Sequence, residues 1–76
     1  MSISNEAVVE LILKTLPDAK VEVTGDGHKY QANVISADFT GLNTLKRHQM
    51  VYAAVDSAIS SGALHALTIV TTTPDE

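Results

Sequence analysis

The chain has 76 residues, of which 45% are hydrophobic, and a formal net charge of −4 at pH 7. This length predicts a single domain over residues 1–76, and the apolar content excludes general disorder. The chain has no cysteine, which excludes disulfides and thiolate ligands of its own, and it has no apolar run of the roughly 18 residues that span a membrane. We therefore expect a cytoplasmic protein, or one from an organelle whose targeting segment has been removed.

The first half of the chain predicts a helix followed by a hairpin. Apolar residues recur at helical spacing over residues 4–16, and Pro17 stops the helix. Alternating apolar and polar residues predict strands over residues 19–24 and 28–35. Gly25-Asp26-Gly27 lies between the strands and has the residues of a turn, since glycine accepts positive φ.

The second half predicts a loop, a second helix and a third strand. Phe39 is expected to fill the core from the loop over residues 36–42. Helical spacing returns over residues 43–60, where the apolar face contains Leu45, His48, Val51, Tyr52, Val55, Ala58 and Ile59. We expect His48 to be buried and hydrogen-bonded, and Tyr52 to lie in the core with its hydroxyl reaching the surface. Gly62 fits the helix end, and residues 64–72 predict the third strand.

The order of the elements predicts how the sheet is built. The order α, β, β, α, β indicates an α+β fold with a three-stranded mixed sheet and the helices on one face. A strand–helix–strand connection favours a right-handed parallel return, so the third strand should run in the direction of the second. His28 opens the second strand and His65 opens the third. We therefore expect both histidines at the same end of the sheet, although they are remote along the chain.

The chemistry of the polar candidates stays open on the pattern alone. His28 and His65 fit exposed polar residues at strand ends, and they also fit metal ligands, because neutral imidazole binds iron and zinc. A structural zinc site would have too few ligands, since it needs four protein ligands and this end of the sheet offers two histidines. Lys46 and Arg47 are expected to project away from the core at the start of the second helix, as a solvated face or as a contact for a partner, glutathione or phosphate. No nucleophile and base stand out, so an enzyme is not expected.

Four motifs in this order resemble the BolA-like family. They are Phe39-Thr40-Gly41, Arg47-His48-Gln49-Met50-Val51-Tyr52, Leu64-His65-Ala66-Leu67-Thr68-Ile69 and Thr73-Pro74. Together with the order of the elements, the resemblance covers nearly the whole chain. It implies a fold related to the second type of KH domain. The KH signature Gly-x-x-Gly is missing, because Gly41 has no glycine three residues away.

The resemblance also implies a function. Members of this family form a heterodimer with a monothiol glutaredoxin, bridged by a 2Fe-2S cluster. The histidine before the Ala-Leu of the last strand is a cluster ligand in the family, which maps onto His65, and a second ligand comes from the loop between the first two strands, where this chain offers His28. The glutaredoxin would add its cysteine and the thiolate of bound glutathione. The implied role is non-enzymatic, in assembly or delivery of iron–sulfur clusters or in iron sensing.

A nucleic-acid-binding transcriptional regulator is the alternative. It would use the KH-like fold and the patch formed by Lys46 and Arg47. The acidic net charge and the small number of aromatic residues weaken this interpretation, so any binding to DNA should be weak. The sequence also leaves a homodimer open.

Overall fold

The computed structural model describes residues 3–75. Its elements follow in the order α1 (Asn5–Thr15), β1 (Lys20–Gly25), β2 (Lys29–Ile35), a short 3-10 helix (Ala37–Phe39), α2 (Thr44–Ser60) and β3 (Ala66–Thr72). The predicted α+β order is confirmed, and the 3-10 helix lies inside the predicted loop. No helix within the described part of the chain combines the length and the apolar character that crossing a membrane requires.

Both α-helices begin at a side-chain cap. The Ser4 hydroxyl accepts a hydrogen bond from the backbone N–H of Ala7 at 3.1 Å, and the Asn43 side chain accepts one from the N–H of Lys46 at 2.9 Å. Each cap satisfies an amide that has no partner within its own helix. Gly62 follows α2 with φ +81°, the left-handed conformation that favours glycine after a helix, so the predicted helix end is confirmed.

The three strands form one mixed sheet in the order β1-β2-β3. β1 pairs antiparallel with β2, and β3 pairs parallel with β2, as the right-handed return predicts. One face of the sheet packs against the helices and carries Val21, Val23, Tyr30, Ala32, Val34, Leu67 and Ile69. The other face, which we call the open face, is largely exposed and polar, as expected for a sheet that is covered on one side only.

The core lies between the helices and the covered face of the sheet. Its fully buried side chains include Phe39, which confirms the prediction that this loop residue fills the core. From α2 the core receives Val51, Val55 and Ala58. Burial of these side chains is the main contribution to the stability of so small a fold.

Part of the predicted apolar face of α2 is exposed. Tyr52 is 42% exposed and is therefore not a core residue, and His48 is half-buried rather than buried. Leu45 and Ile59 are exposed as well, at 64% and 39%. The apolar arc of α2 is wider than the strip of helix that the sheet and α1 cover, so its margin faces outward. The helical period predicted the arc correctly but not the part of it that is buried.

Candidate functional site

The two predicted ligands lie at the same end of the sheet. The parallel register pairs Lys29 of β2 with Ala66 of β3, and His28 and His65 immediately precede these residues. Neighbouring strands are about 5 Å apart, so the two strand residues that the histidines precede are neighbours. Both residues are exposed. The prediction that they share one end is confirmed, and we call this end, residues 26–28 and 63–65, the histidine rim.

Asp26 shapes the turn from which His28 projects. One carboxylate oxygen of Asp26 accepts the backbone N–H groups of both His28 and Lys29, at 2.9 Å each. The hydrogen bond from Lys29, followed by that from His28, holds the pKa of the Asp26 carboxyl below its ordinary value of 3.8. Gly27, between them, has φ +96°. Asp26 is thus a turn residue whose side chain fixes the backbone at His28.

Gly25 has a different role from the one that the turn pattern predicts. It is the last residue of β1 and lies opposite Tyr30 in the ladder. A Cβ atom on Gly25 would lie 2.6 Å from Cδ2 of Tyr30 and 2.8 Å from the carbonyl oxygen of Lys29. The missing side chain therefore makes room for the Tyr30 ring beside the histidine rim.

The segment before α1 is tied to the rim from two sides. The Tyr30 hydroxyl donates a hydrogen bond to the carbonyl of Ile3 at 2.6 Å, and the N–H of Ile3 donates to the carbonyl of Ala63 at 3.1 Å. Ile3 thereby connects β2 to the loop that precedes His65. Alternation along the strand places Tyr30 on the same face as Ala32 and Val34, but no feature of the sequence indicates the partner of its hydroxyl.

Lys46 and Arg47 differ in their surroundings. Lys46 is exposed, as predicted. Arg47 is half-buried, its Nε donates to the carbonyl of Leu42 at 2.9 Å, and its guanidinium carbon lies 5.9 Å from the centre of the Phe39 ring, within cation–π range. The prediction that Arg47 projects away from the core is therefore wrong. Its position on α2 faces the 3-10 helix, where the side chain links Leu42 and Phe39.

The model of the family described as BolA-like protein matches residues 7–76. The chain belongs to the BolA-like protein family. A family relative from the rpoN-murA intergenic region of Acinetobacter guillouiae is 36% identical over 73 residues, covering 96% of this chain and 88% of the relative. The acid stress protein IbaG of Escherichia coli K12 is 29% identical over 72 residues, covering 95% of this chain and 86% of IbaG.

Solved structures of family members have the same fold. The structure of a BolA protein homologue from Coxiella burnetii matches with a TM-score of 0.85 and 35% sequence identity, covering 96% of this chain and 94% of the homologue. This similarity extends over both helices and the three-stranded mixed sheet. The resemblance that the four sequence motifs carried is therefore confirmed at the level of family and fold.

The donor set of the histidine rim fits half of a shared iron site. Within residues 3–75, no three His, Cys, Asp or Glu side chains gather into a metal site. The rim offers two exposed imidazoles and no thiolate. A 2Fe-2S cluster can take two histidines on one iron while thiolates hold the other. His28 and His65 therefore fit a cluster whose remaining ligands come from a second molecule.

Proposed function

We propose that this BolA-like protein is a non-enzymatic partner of a monothiol glutaredoxin and shares a bridging 2Fe-2S cluster with it. The role would lie in assembly or delivery of iron–sulfur clusters or in iron sensing. The observation that supports the proposal most is the register of β2 and β3, in which Lys29 pairs with Ala66, because the exposed residues His28 and His65 immediately precede this pair. Membership of the family supports it as well.

The division of ligands follows from what the chain contains. His28 and His65 would hold one iron, while the cysteine of the glutaredoxin and the thiolate of glutathione would hold the other. When bound, the cluster supplies one-electron redox chemistry, and imidazole ligands on one iron raise its potential relative to thiolates. A chain without cysteine suits this arrangement. Such a chain would supply histidine ligands to a cluster that its partner holds through thiolates, and would not hold a cluster by itself.

The chain's own residues would orient the two imidazoles. Asp26 holds the backbone N–H of His28, and Tyr30 and Ala63 hold the segment at Ile3 against the rim. Exposure of both histidines leaves them open to a partner. Because imidazole must be deprotonated to bind a metal, the shared site should weaken in acid.

The test is reconstitution under anaerobic conditions. Mixing the protein with a monothiol glutaredoxin, iron, sulfide and glutathione should give a heterodimer with its own visible circular-dichroism spectrum. His65→Ala should abolish that spectrum and leave the far-ultraviolet spectrum of the fold unchanged, and His28→Ala should weaken or shift it. His48→Ala is the matched control, because His48 lies near the start of α2, whereas the rim follows the end of that helix. A His65→Ala complex with the wild-type spectrum would show that the ligand assignment is wrong.

The nucleic-acid role has less support. Lys46 is exposed, but the guanidinium group of Arg47 is engaged with Leu42 and Phe39, and the net charge of −4 opposes binding to phosphates. Lys46→Ala is the variant to use, because substitution of Arg47 would also disturb the fold. Binding to duplex DNA that has a steep salt dependence and is weakened by Lys46→Ala would favour this alternative. A flat titration at low salt would eliminate it.

A further inference from the structure

The two edges of the sheet are protected to different degrees. β3, at one edge, has the sequence ALTIVTT, which contains no charged residue and no proline, and five of its seven residues are β-branched. β1, at the other edge, carries Lys20 and Glu22 on the open face. Charged residues, prolines and bulges are the usual devices that keep an edge strand from pairing with another chain. β3 has neither a charged residue nor a proline, so its free edge is a template for a further strand.

The hydrogen bonds show which backbone groups of β3 face the free edge. The carbonyl of Thr72 accepts the N–H of Ser36 at 3.0 Å and therefore points toward β2. The N–H and C=O of one residue point to the same side of a strand, and successive residues alternate. The backbone groups of Leu67, Ile69 and Thr71 therefore face away from β2. In agreement, the Tyr52 hydroxyl reaches the carbonyl of Leu67 from α2, at 3.3 Å.

An apolar line on α2 runs beside this edge. Leu45, Tyr52 and Ile59 are the three exposed large apolar side chains of the helix, and their spacing of seven residues aligns them along it. We call them the α2 stripe. The hydrogen bond between Tyr52 and Leu67 places the stripe on the β3 side of the helix. The free edge and the apolar stripe thus form one continuous surface.

We propose that this surface binds a second copy of the chain, with β3 pairing antiparallel to β3 of the second copy about a twofold axis at Ile69. In this register Leu67 lies opposite Thr71 of the second copy, whose N–H would replace the Tyr52 hydroxyl as the donor to the Leu67 carbonyl. The other edge-facing N–H and C=O groups of the three residues also meet counterparts. The result is a six-stranded sheet. A twofold axis perpendicular to that sheet keeps all helices on one side, so the two α2 stripes face each other.

The structure favours a second copy over a partner of another sequence because the surface is self-complementary. The edge strand carries no charge, so two copies can pair antiparallel about Ile69 without placing like charges opposite each other. One isologous contact therefore covers two exposed features of the single chain, the strand edge and the stripe, which within the chain are joined only through the hydrogen bond from Tyr52 to Leu67. The paired strands are antiparallel, so the two histidine rims lie at opposite ends of the six-stranded sheet and stay open. The dimer is independent of the proposed function.

Sedimentation equilibrium of the full chain tests the proposal. Between about 1 μM and about 1 mM, the mass should rise from the monomer value of 8.1 kDa toward twice that value. The double variant Thr68→Lys and Val70→Lys should weaken association by about tenfold or more, because position 68 lies opposite position 70 of the second copy and like charges then meet. Both side chains are exposed on the open face, so the variant should fold. The matched control, Thr24→Lys with Thr40→Lys, adds the same charge at exposed positions outside β3 and should associate like the wild type.

Charge reversal tests the register itself. The variant Thr68→Glu with Val70→Glu should also be monomeric by itself, and an equal mixture of the two charged variants should form a heterodimer, because opposite charges then meet across the axis. Leu45→Glu, on the α2 stripe, should weaken the wild-type dimer. A wild-type chain that stays monomeric up to about 1 mM overturns the proposal and leaves the surface to a partner of another sequence. A dimer that the lysine pair does not weaken, or charged variants that fail to associate when mixed, overturns the proposed pairing.

Discussion

Removal of the Tyr30 hydroxyl, in the variant Tyr30→Phe, should destabilise the fold by about 1–2 kcal/mol. This hydroxyl donates to the carbonyl of Ile3 at 2.6 Å, at the short end of the range for O–H···O hydrogen bonds. Tyr30 is only 4% exposed, so its ring should stay in place in the variant. The change therefore removes one hydrogen bond and little else.

The expected loss of unfolding free energy in Tyr30→Phe has two parts. A hydrogen bond within a protein contributes about 0.5–1.5 kcal/mol net, and a buried acceptor left without a partner costs about 1–3 kcal/mol. Ile3 is half-buried, so water can reach its carbonyl in part and the second cost is reduced. In a domain of this size, each 1 kcal/mol lowers Tm by about 4–8 °C.

The other tyrosine of the chain provides the matched control. The Tyr52 hydroxyl also donates to a backbone carbonyl, that of Leu67, but at 3.3 Å and from a side chain that is 42% exposed. Tyr52→Phe should therefore change stability by no more than about 0.5 kcal/mol. Urea unfolding followed by circular dichroism, at low micromolar protein concentration, measures both variants. A loss in Tyr52→Phe equal to or larger than that in Tyr30→Phe would refute the reasoning from burial and distance.

Two further predictions concern the turn at the histidine rim. Gly25→Ala should lower the free energy of unfolding by about 1–3 kcal/mol in urea, because its Cβ would meet the Tyr30 ring and the Lys29 carbonyl. The double variant Gly25→Ala with Tyr30→Ala should lose less stability than the sum of the two single losses, since the smaller side chain at position 30 relieves part of the clash, and a neutral Gly25→Ala would contradict the contact. The ionised carboxylate of Asp26 stabilises the turn, because its pKa is lower in the folded chain than the ordinary value of 3.8. The stability that it contributes is complete above pH 3.8 and is lost as the pH falls through the lowered pKa of the folded chain. The stability difference between wild type and Asp26→Asn should therefore shrink from about pH 5 to about pH 2.5, and a difference that is constant over this range would rule out the carboxylate as its source.

Much of the fold could be predicted from the sequence, because its signals are local. Helical spacing, Pro17 and Gly62 set the helices, and alternation set the strands. The histidine rim was also predictable, since the handedness of a strand–helix–strand connection fixes the direction of β3 and hence the end at which His65 lies. A rule of chirality thus brought together two residues that no local pattern connects.

The sequence by itself determined the elements, their order and the end of the sheet at which His28 and His65 both lie, because periodicity and handedness act on the backbone whatever surrounds it. Only the tertiary structure decided which part of the α2 arc is buried, that Arg47 binds Leu42 and that the Tyr30 hydroxyl reaches Ile3. These outcomes depend on how closely a helix or a strand approaches its neighbours. That distance is set by the packing of all side chains together, and no single stretch of sequence encodes it.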